Sequence, residues 1–299
     1  MELPARTDRN APTSRHPPHT TINAHTHSNM PQTLTTDTIT PTALTTILAR
    51  YTHTVPPKLA ALETARLHTI PAAVRARAAS KPGPHVTPAE LSQLVEWKLR
   101  HGTWRPGLAA QAASNDARAV QDASGRAFAL LDGGAGGGDV PAALKALLAL
   151  RGVGPATASL LLSVAAPDHV PFFADELFRW VHWDGVGAKP GKGWARPIGY
   201  TPKEYRSLAE RVKRLRARLK EDGRETSALE LEMVAYVLGK EGVDVEKPVE
   251  DDEEDEKPVA EENEKSEKAE KTAKKNTRKR KVEDGVEKAK AGKQRRTKG

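Results

Sequence analysis

The 299-residue chain contains no cysteine, which excludes disulfides, thiolate zinc sites, cysteine nucleophiles and iron–sulfur clusters. Aromatic residues make up only 4% of the chain. That is little for one large core, so part of the length is predicted to stay unfolded. No apolar run approaches the roughly 20 residues that cross a bilayer, and the first residues lack a secretory h-region. These absences predict a soluble intracellular protein with no membrane partner.

Both ends of the sequence are of low complexity. Residues 1–40 are rich in Thr, Pro, His and Asn without apolar periodicity, and they are predicted to be disordered. No rigid element there holds the histidines in place, so we expect no metal site, and no pattern elsewhere indicates a cofactor. After Leu238 no residue larger than Val is available for a core. A disordered charged tail is therefore predicted over 243–299, which leaves residues 41–242 as the folded domain.

The positive charge lies mainly in this folded part. Residues 246–299 hold 17 of the 47 Lys+Arg and 16 of the 39 Asp+Glu, which leaves 30 and 23 for residues 1–245. The net charge of +8 therefore divides into +7 for the body and +1 for the tail. A basic body favours a polyanionic partner, although net charge does not determine a fold.

The tail carries an acidic run over 250–256 and then clusters of basic residues, one of them over 293–298. This pattern resembles a bipartite-like nuclear localisation signal, which predicts the nucleus as the location and the nuclear import machinery as a partner. The alternative is a tail that only improves solubility. The predicted signal residues are Lys274, Lys275, Arg278, Lys279, Arg280 and Lys281.

The body shows helical periodicity and no convincing alternation with period two, so we predict an all-α domain. Thr87, Pro88 and Glu90 have the spacing of a capping box with proline in the first turn, and Gly102 suits the C-cap of the same helix. A flexible surface loop is predicted over the glycine-rich residues 133–138. The predicted helices cover residues 42–50, 58–67, 88–100, 116–131, 141–150, 155–166, 175–182, 202–221 and 225–240.

The most informative stretch is an apolar helix, a short turn Arg151–Gly154 and a second apolar helix, together residues 141–166. Gly152 and Gly154 are expected to supply backbone conformations that residues with a Cβ resist. Pro155 occupies a first-turn position. With no side chains over the turn, N–H groups at the start of the second helix can approach a phosphate. The alternative is an ordinary αα-hairpin with a glycine turn.

This arrangement resembles the helix-hairpin-helix motif, whose Leu-x-Gly-Val-Gly turn holds the DNA backbone without reading sequence. The order of segments that follows is similar to that of the helix-hairpin-helix DNA glycosylase superfamily, the endonuclease III-like and adenine-glycosylase-like proteins. The resemblance covers residues 141–182, and it implies DNA as the partner. The residues that it assigns to backbone binding are Arg151, Gly152, Val153, Gly154, Ala156 and Thr157.

The same resemblance assigns the catalytic role to Asp175, which follows a loop containing His169-Val170-Pro171. In the family this aspartate stabilises positive charge on the sugar as the base departs. Counted without gaps, the family spacing falls one residue earlier, on Ala174. The alternative role for Asp175 is an N-cap of the helix that follows, worth roughly 1 kcal/mol.

Bifunctional members carry a lysine two residues after the second hairpin glycine, where this chain has Ala156. The resemblance therefore implies, if the protein is an enzyme, a monofunctional N-glycosylase of base excision repair, without lyase activity by this route. A group of fungal and animal proteins that also lack this lysine and the iron–sulfur cluster has the same hairpin, and it supports a shared architecture. The rival hypothesis is a non-catalytic nuclear DNA-binding or chromatin-associated module.

Residues 96–106 mix aromatic and basic side chains. Lys98, Arg100 and Arg105 are predicted to contact phosphates and Trp104 to stack on a base, while Trp97 is expected to pack inward. The predicted helix over 202–221 is strongly basic. We interpret it as a solvated face, with an electrostatic footprint for DNA as the alternative.

Overall fold

The computed structural model describes residues 32–131, 138–184 and 191–248. Every regular element in these three ranges is helical, and they contain no β-strand, which confirms the predicted all-α class. The α-helices are α1 Pro41–Ala49, α2 Tyr51–Thr54, α3 Ala60–Thr64, α4 Ile70–Arg77, α5 Pro88–His101, α6 Leu108–Ala113, α7 Ala117–Ala129, α8 Val140–Leu147, α9 Pro155–Ala165, α10 Asp175–Val181, α11 Pro202–Glu221 and α12 Ala228–Glu241.

Helix starts follow local side-chain chemistry. The predicted capping box at Thr87 is present: its hydroxyl accepts from Glu90 N at 3.2 Å, and the Glu90 carboxylate accepts from Thr87 N at 2.8 Å. Thr201 and Ser227 begin α11 and α12 in the same way. A π-helical segment, Ala65–Thr69, joins α3 to α4, and 3₁₀ turns span Pro57–Leu59 and Gly193–Ala195. Sequence reasoning missed α2, α4 and α6, which are short and lack these signals.

Helix α9 lies at the centre of the core. All residues from Ala156 to Val164 are buried, because α9 packs against α4, α5, α7, α8 and α11. A helix without a polar face is stable only when it is enclosed in this way. Its position fixes the turn that precedes it and the loop that follows it.

A buried ion cluster connects the N-terminal helices to α12. Arg66, on the π-helical segment, forms ion pairs with Glu63 and Glu232, and all three side chains are buried. Tyr51 Oη and Trp97 Nε1 donate to the two Glu63 oxygens at 2.7 and 2.6 Å. The guanidinium also lies 4.1 Å from the centre of the Trp97 ring. Trp97 therefore packs inward, as expected.

The buried chain extends beyond the predicted limits of 41 and 242. Leu34, Ile39 and Val245 are in the core, Leu34 N donates to Val245 O at 2.9 Å, and Trp180 Nε1 donates to Leu34 O at 2.9 Å. The composition did not predict that these three residues are buried, because the stretches around them are mostly polar. The prediction of disorder is therefore wrong for residues 32–40 and 243–248. Residues 1–31, residues 249–299 with the nuclear localisation cluster, and residues 133–137 of the glycine loop lie outside the described residues.

None of the described helices combines the length and apolar character needed to span a membrane.

Acid sensitivity is expected from His182, which follows α10. Its ring is buried, stacks on Phe178 with centroids 4.3 Å apart, and hydrogen bonds to Phe178 O at 2.9 Å and Ser207 Oγ at 2.8 Å. Burial lowers the pKa of His182 to about 4. Between pH 6.5 and about 4 this histidine is protonated in the unfolded chain but stays neutral in the folded protein. The free energy of unfolding therefore falls as the pH falls through this range.

We therefore expect His182→Gln to cost more stability at pH 7.0 than at pH 5.5. The difference should be somewhat less than the ~1.4 kcal/mol that one proton contributes per pH unit. Urea unfolding of both proteins at the two pH values measures it. An equal cost at both pH values would show that His182 does not carry this pH dependence.

Candidate nucleic-acid interface

The predicted hairpin is present: α8 and α9 are joined by a turn over residues 148–154. Asn115, just before α7, clamps this turn. Its Oδ1 accepts from Arg151 N at 2.8 Å and its Nδ2 donates to Arg151 O at 2.9 Å. Sequence reasoning missed Asn115, because it lies 36 residues away and nothing local indicates its partner.

The two hairpin glycines have different roles. Gly152 has φ +73°, and a Cβ there would lie 2.9 Å from Ala112 N and 3.1 Å from Leu108 O, so the turn packs directly on α6. Gly154 has φ −92°, which any residue adopts. The expectation of a restricted backbone is therefore wrong for Gly154. A Cβ at Gly154 would have no atom within 4 Å, so its missing side chain leaves open the approach to α9.

The side chains of Val153, Ala156 and Thr157 are buried, whereas Arg151 is exposed. Any contact that the three make with a ligand must therefore come from their backbone. The N–H groups of the first turn of a helix have no acceptor inside the helix. Gly154 caps α9 without a side-chain hydrogen bond, so this N-terminus has the electrostatics of an anion site.

Asp175 is held by the loop that leaves α9. Phe173 N donates to Ser159 Oγ at 2.9 Å, and Tyr205 Oη donates to Pro171 O at 3.1 Å. The N-cap of α10 is Ala174, and Asp175 is the first helical residue. Asp175 is therefore not the N-cap, and its side chain hydrogen bonds elsewhere. Ala174, where the ungapped spacing falls, is buried.

The Asp175 carboxylate has two partners. Tyr200 Oη donates to Oδ1 at 2.6 Å, and Arg179 Nη1 lies 3.7 Å from Oδ2. Burial and then this hydrogen bond raise the pKa of Tyr200, so the phenol stays a neutral donor. Tyr200 has φ +53°, an uncommon backbone conformation for a residue with a side chain. No sequence signal indicated Tyr200.

A cleft runs between this carboxylate and the hairpin. Its part beside Asp175 has a volume of about 280 Å³ and includes Phe172, Phe173 and Arg179. A neighbouring part of about 240 Å³ is lined by the hairpin residues Gly152, Gly154, Pro155, Ala156 and Thr157. Lys98, Arg105 and Tyr200 line both parts, so the two parts adjoin. The larger volume is at the lower end of small-molecule sites, roughly 300–1,000 Å³.

Positive charge surrounds this cleft. Lys98 and Arg105 lie between the two parts, with the Arg105 guanidinium 5.2 Å from the centre of the Tyr200 ring. Lys240 also lines the cleft, but it forms an ion pair with Glu176 at 3.0 Å. Together with the N-terminus of α9, these groups suit a polyanion that passes over the hairpin and reaches Asp175.

His101 lines the cleft between two aromatic rings. Its imidazole stacks on Trp97 and Tyr236 at 4.4 and 4.3 Å, and its Nε2 is buried without a hydrogen-bond partner in the described part of the chain. Burial, then Arg66 and Lys240, hold its pKa well below the ordinary value. His101 is therefore neutral. It was not predicted, because a lone histidine at a helix end carries no signal.

The structure separates Arg100 and Trp104 from the other predicted contacts. Arg100 lies two positions from Lys98 on α5, a spacing that places side chains on different faces. It pairs with Glu96 at 2.5 Å and borders a groove that contains Trp104. Trp104 is 62% exposed. Trp97, Trp180, Trp183 and Trp194 do not line the cleft.

The basic helix α11 is partly structural. Arg211, Arg216 and Arg218 donate to the carbonyl oxygens of Val181, Thr226 and Ile39 at 2.9, 2.7 and 2.8 Å. Arg206 and Lys213 border a groove against α8 on a surface that shares no residue with the cleft. Three of the eight cations of α11 therefore connect segments of the fold, and a uniformly solvated face does not describe α11.

In the described ranges no group of three His, Asp or Glu side chains is placed to hold a metal ion.

No protein-family model, curated protein or solved structure matches this chain. The cleft, the hairpin and the charges around them are the features of this chain that indicate a function.

Proposed function

We propose that this chain is a nuclear DNA-binding protein of the helix-hairpin-helix glycosylase type, and that it excises a base from DNA. One observation carries the proposal: the cavity at the open N-terminus of α9 adjoins the cavity beside the half-buried carboxylate of Asp175, and the two share Lys98, Arg105 and Tyr200. A phosphate on the hairpin would direct the adjoining nucleotide towards that carboxylate.

In this proposal the hairpin binds the DNA backbone. N–H groups of Ala156 and Thr157 would meet a phosphate, Arg151 is exposed beside the turn, and Lys98 and Arg105 would attract the flanking phosphates. None of these contacts reads a base edge, so selectivity would come from the cleft. A damaged or mismatched base leaves the stack at lower energetic cost than a paired one.

Asp175 would act on the sugar. As the bond to the base breaks, positive charge develops on the ring, and a fixed carboxylate stabilises it. Tyr200 and Arg179 hold the carboxylate in one orientation. Trp104 is exposed in the separate groove beside Arg100, so a base that stacks on it would belong to a flanking nucleotide.

The same geometry favours a second function, a DNA-binding module without catalysis. Tyr200 and Arg179 engage both Asp175 oxygens, so neither oxygen is left without a partner before substrate enters. In that case the cleft would bind DNA, the tail would supply nuclear import and protein contacts, and no base would be released.

The two functions differ in one measurement. The full chain is incubated with duplexes that each bear one damaged or mismatched base, and every sample is treated with alkali so that all abasic sites become strand breaks. We expect excision from at least one duplex, reduced at least about a hundredfold in Asp175→Asn. Asp168→Asn, an exposed carboxylate outside the cleft, is the matched control and should match wild type. Salt-sensitive binding without excision on any duplex would favour the module.

A further inference from the structure

Among the cations of the cleft, Lys98 stands out because its environment is unlike that of a lysine on the protein surface. It lies on α5, is half-buried, and lines both the part beside Asp175 and the part beside the hairpin. Within the described ranges its side chain has no hydrogen bond and no ion pair, although its backbone oxygen accepts from Gly102 N. Lys240, in the same cleft, is exposed and held by Glu176 at 3.0 Å. Of the two cleft lysines, Lys240 is therefore held in an ion pair, whereas the Lys98 amine has no hydrogen-bonded or ion-paired partner.

The surroundings of Lys98 favour a reactive amine. Burial, and then the positive charge of Arg105, lower the pKa of Lys98, while the charge of Asp175 opposes them. A desolvated lysine beside another cation has a larger neutral fraction, and the neutral amine is the nucleophile that attacks carbonyl carbon. Arginine at this position would keep the charge without that reactivity.

We propose that Lys98 forms a Schiff base with the ring-opened deoxyribose of an abasic site and thereby gives the protein lyase activity. The inference rests on the proposed function, which brings a DNA sugar into the cleft. It also revises the sequence-based expectation. Ala156 lacks an amine, but Ala156 and Lys98 line the same part of the cleft. A side chain from α5 therefore supplies the group that α9 does not.

The reaction balances without an external oxidant or reductant. The Nζ lone pair of Lys98 attacks the C1′ aldehyde carbon, the carbonyl electrons move to oxygen, and loss of water leaves a protonated imine. Removal of a proton from C2′, for which Asp175 is an available acceptor in the cleft, allows the C3′–O bond to break. The electron pair leaves on the 3′-phosphate oxygen, and water then hydrolyses the imine to restore the amine.

The test uses the full chain and a duplex with one natural abasic site, with sodium cyanoborohydride to reduce the imine to a stable amine. A second duplex carries a tetrahydrofuran at that position, which has no aldehyde and measures binding alone. We expect a covalent protein–DNA adduct that peptide mass spectrometry maps to Lys98. In Lys98→Arg the adduct should fall at least tenfold beyond any change in tetrahydrofuran-duplex affinity. Lys58→Arg, at an exposed lysine that lines neither part of the cleft, is the matched control and should retain the adduct.

Three results would overturn the inference. The first is an adduct that persists in Lys98→Arg or maps to lysines after residue 248. The second is the absence of any adduct while the tetrahydrofuran duplex is bound, which leaves the proposed DNA binding intact and removes only the lyase. The third is failure to bind either duplex, which overturns the proposed function as well. Alkali-independent strand cleavage that Lys98→Arg loses would support the inference independently.

Discussion

Arg66→Met is expected to destabilise the protein by about 3–5 kcal/mol, the cost of removing one partner from a buried ion pair. Arg66 is the cation between Glu63 and Glu232, and both carboxylates are buried. Without it, two negative charges face each other in the core. Methionine fills much of the volume beside Trp97. The loss of unfolding free energy therefore arises mainly from the missing positive charge and less from a cavity. Urea unfolding monitored by circular dichroism measures the effect.

The loss should also depend on pH. Burial raises the pKa of Glu232 to about 7 even with Arg66 present. Without Arg66 that pKa rises further, and the folded protein binds protons that the unfolded chain has released. The stability of Arg66→Met should therefore fall as pH rises from 5 to 8, so the destabilisation is largest at high pH.

Arg50→Met is the matched control. Arg50 pairs with Glu241 at 2.9 Å, but both side chains are more than a third exposed. Exposed pairs contribute about 0–1 kcal/mol, so this variant should unfold close to wild type. If Arg66→Met lost no more stability than Arg50→Met, the buried cluster would not be a main support of the fold.

Gly152→Ala is expected to destabilise by about 2–4 kcal/mol, because left-handed backbone and close contact act together. The new Cβ would lie 2.9 Å from Ala112 N at φ +73°. Both obstacles are backbone atoms or angles of packed elements, which cannot move aside without disturbing α6. Gly154→Ala should change stability by no more than about 0.5 kcal/mol, since its backbone is extended and its surroundings are open.

DNA binding distinguishes the two glycines further. The Gly154 methyl would lie over the N-terminus of α9, so Gly154→Ala should weaken duplex binding severalfold although the fold is intact. Fluorescence anisotropy with a labelled duplex measures the DNA affinity of both variants, and urea unfolding measures their stability. Unchanged DNA affinity in a stable Gly154→Ala would contradict a backbone contact at the hairpin.

Much of the architecture was accessible from periodicity and capping. The spacing of Thr87 and Glu90 predicted the start of α5, and the apolar run after Pro155 predicted the helix α9. Short helices such as α6 were missed because six residues with four alanines carry no pattern. The burial of Leu34 and Val245 was not predicted, because an isolated apolar residue forms no periodic pattern and its burial depends on the distant segments that it contacts.

The candidate site was only partly predictable. Asp175 and the hairpin were found from a motif, whereas Tyr200, Asn115 and His101 were not. Each of these acts on a residue more than 20 positions away or on another helix. The predicted set containing Lys98, Arg100 and Trp104 divides between two surfaces, because residues two apart on a helix lie about 200° apart around its axis and Trp104 lies on the loop after α5.

The sequence by itself determined the all-α class and the pair of helices joined by a glycine turn, because these depend on contacts within one or two helical turns. The tertiary structure alone decided that Lys98, Asp175 and the open end of α9 share one cleft, and that Gly152 and Gly154 differ. The reason is physical: local hydrogen bonds and periodicity select helices, but packing between distant segments decides which side chains meet, which are desolvated, and which stay open to a ligand.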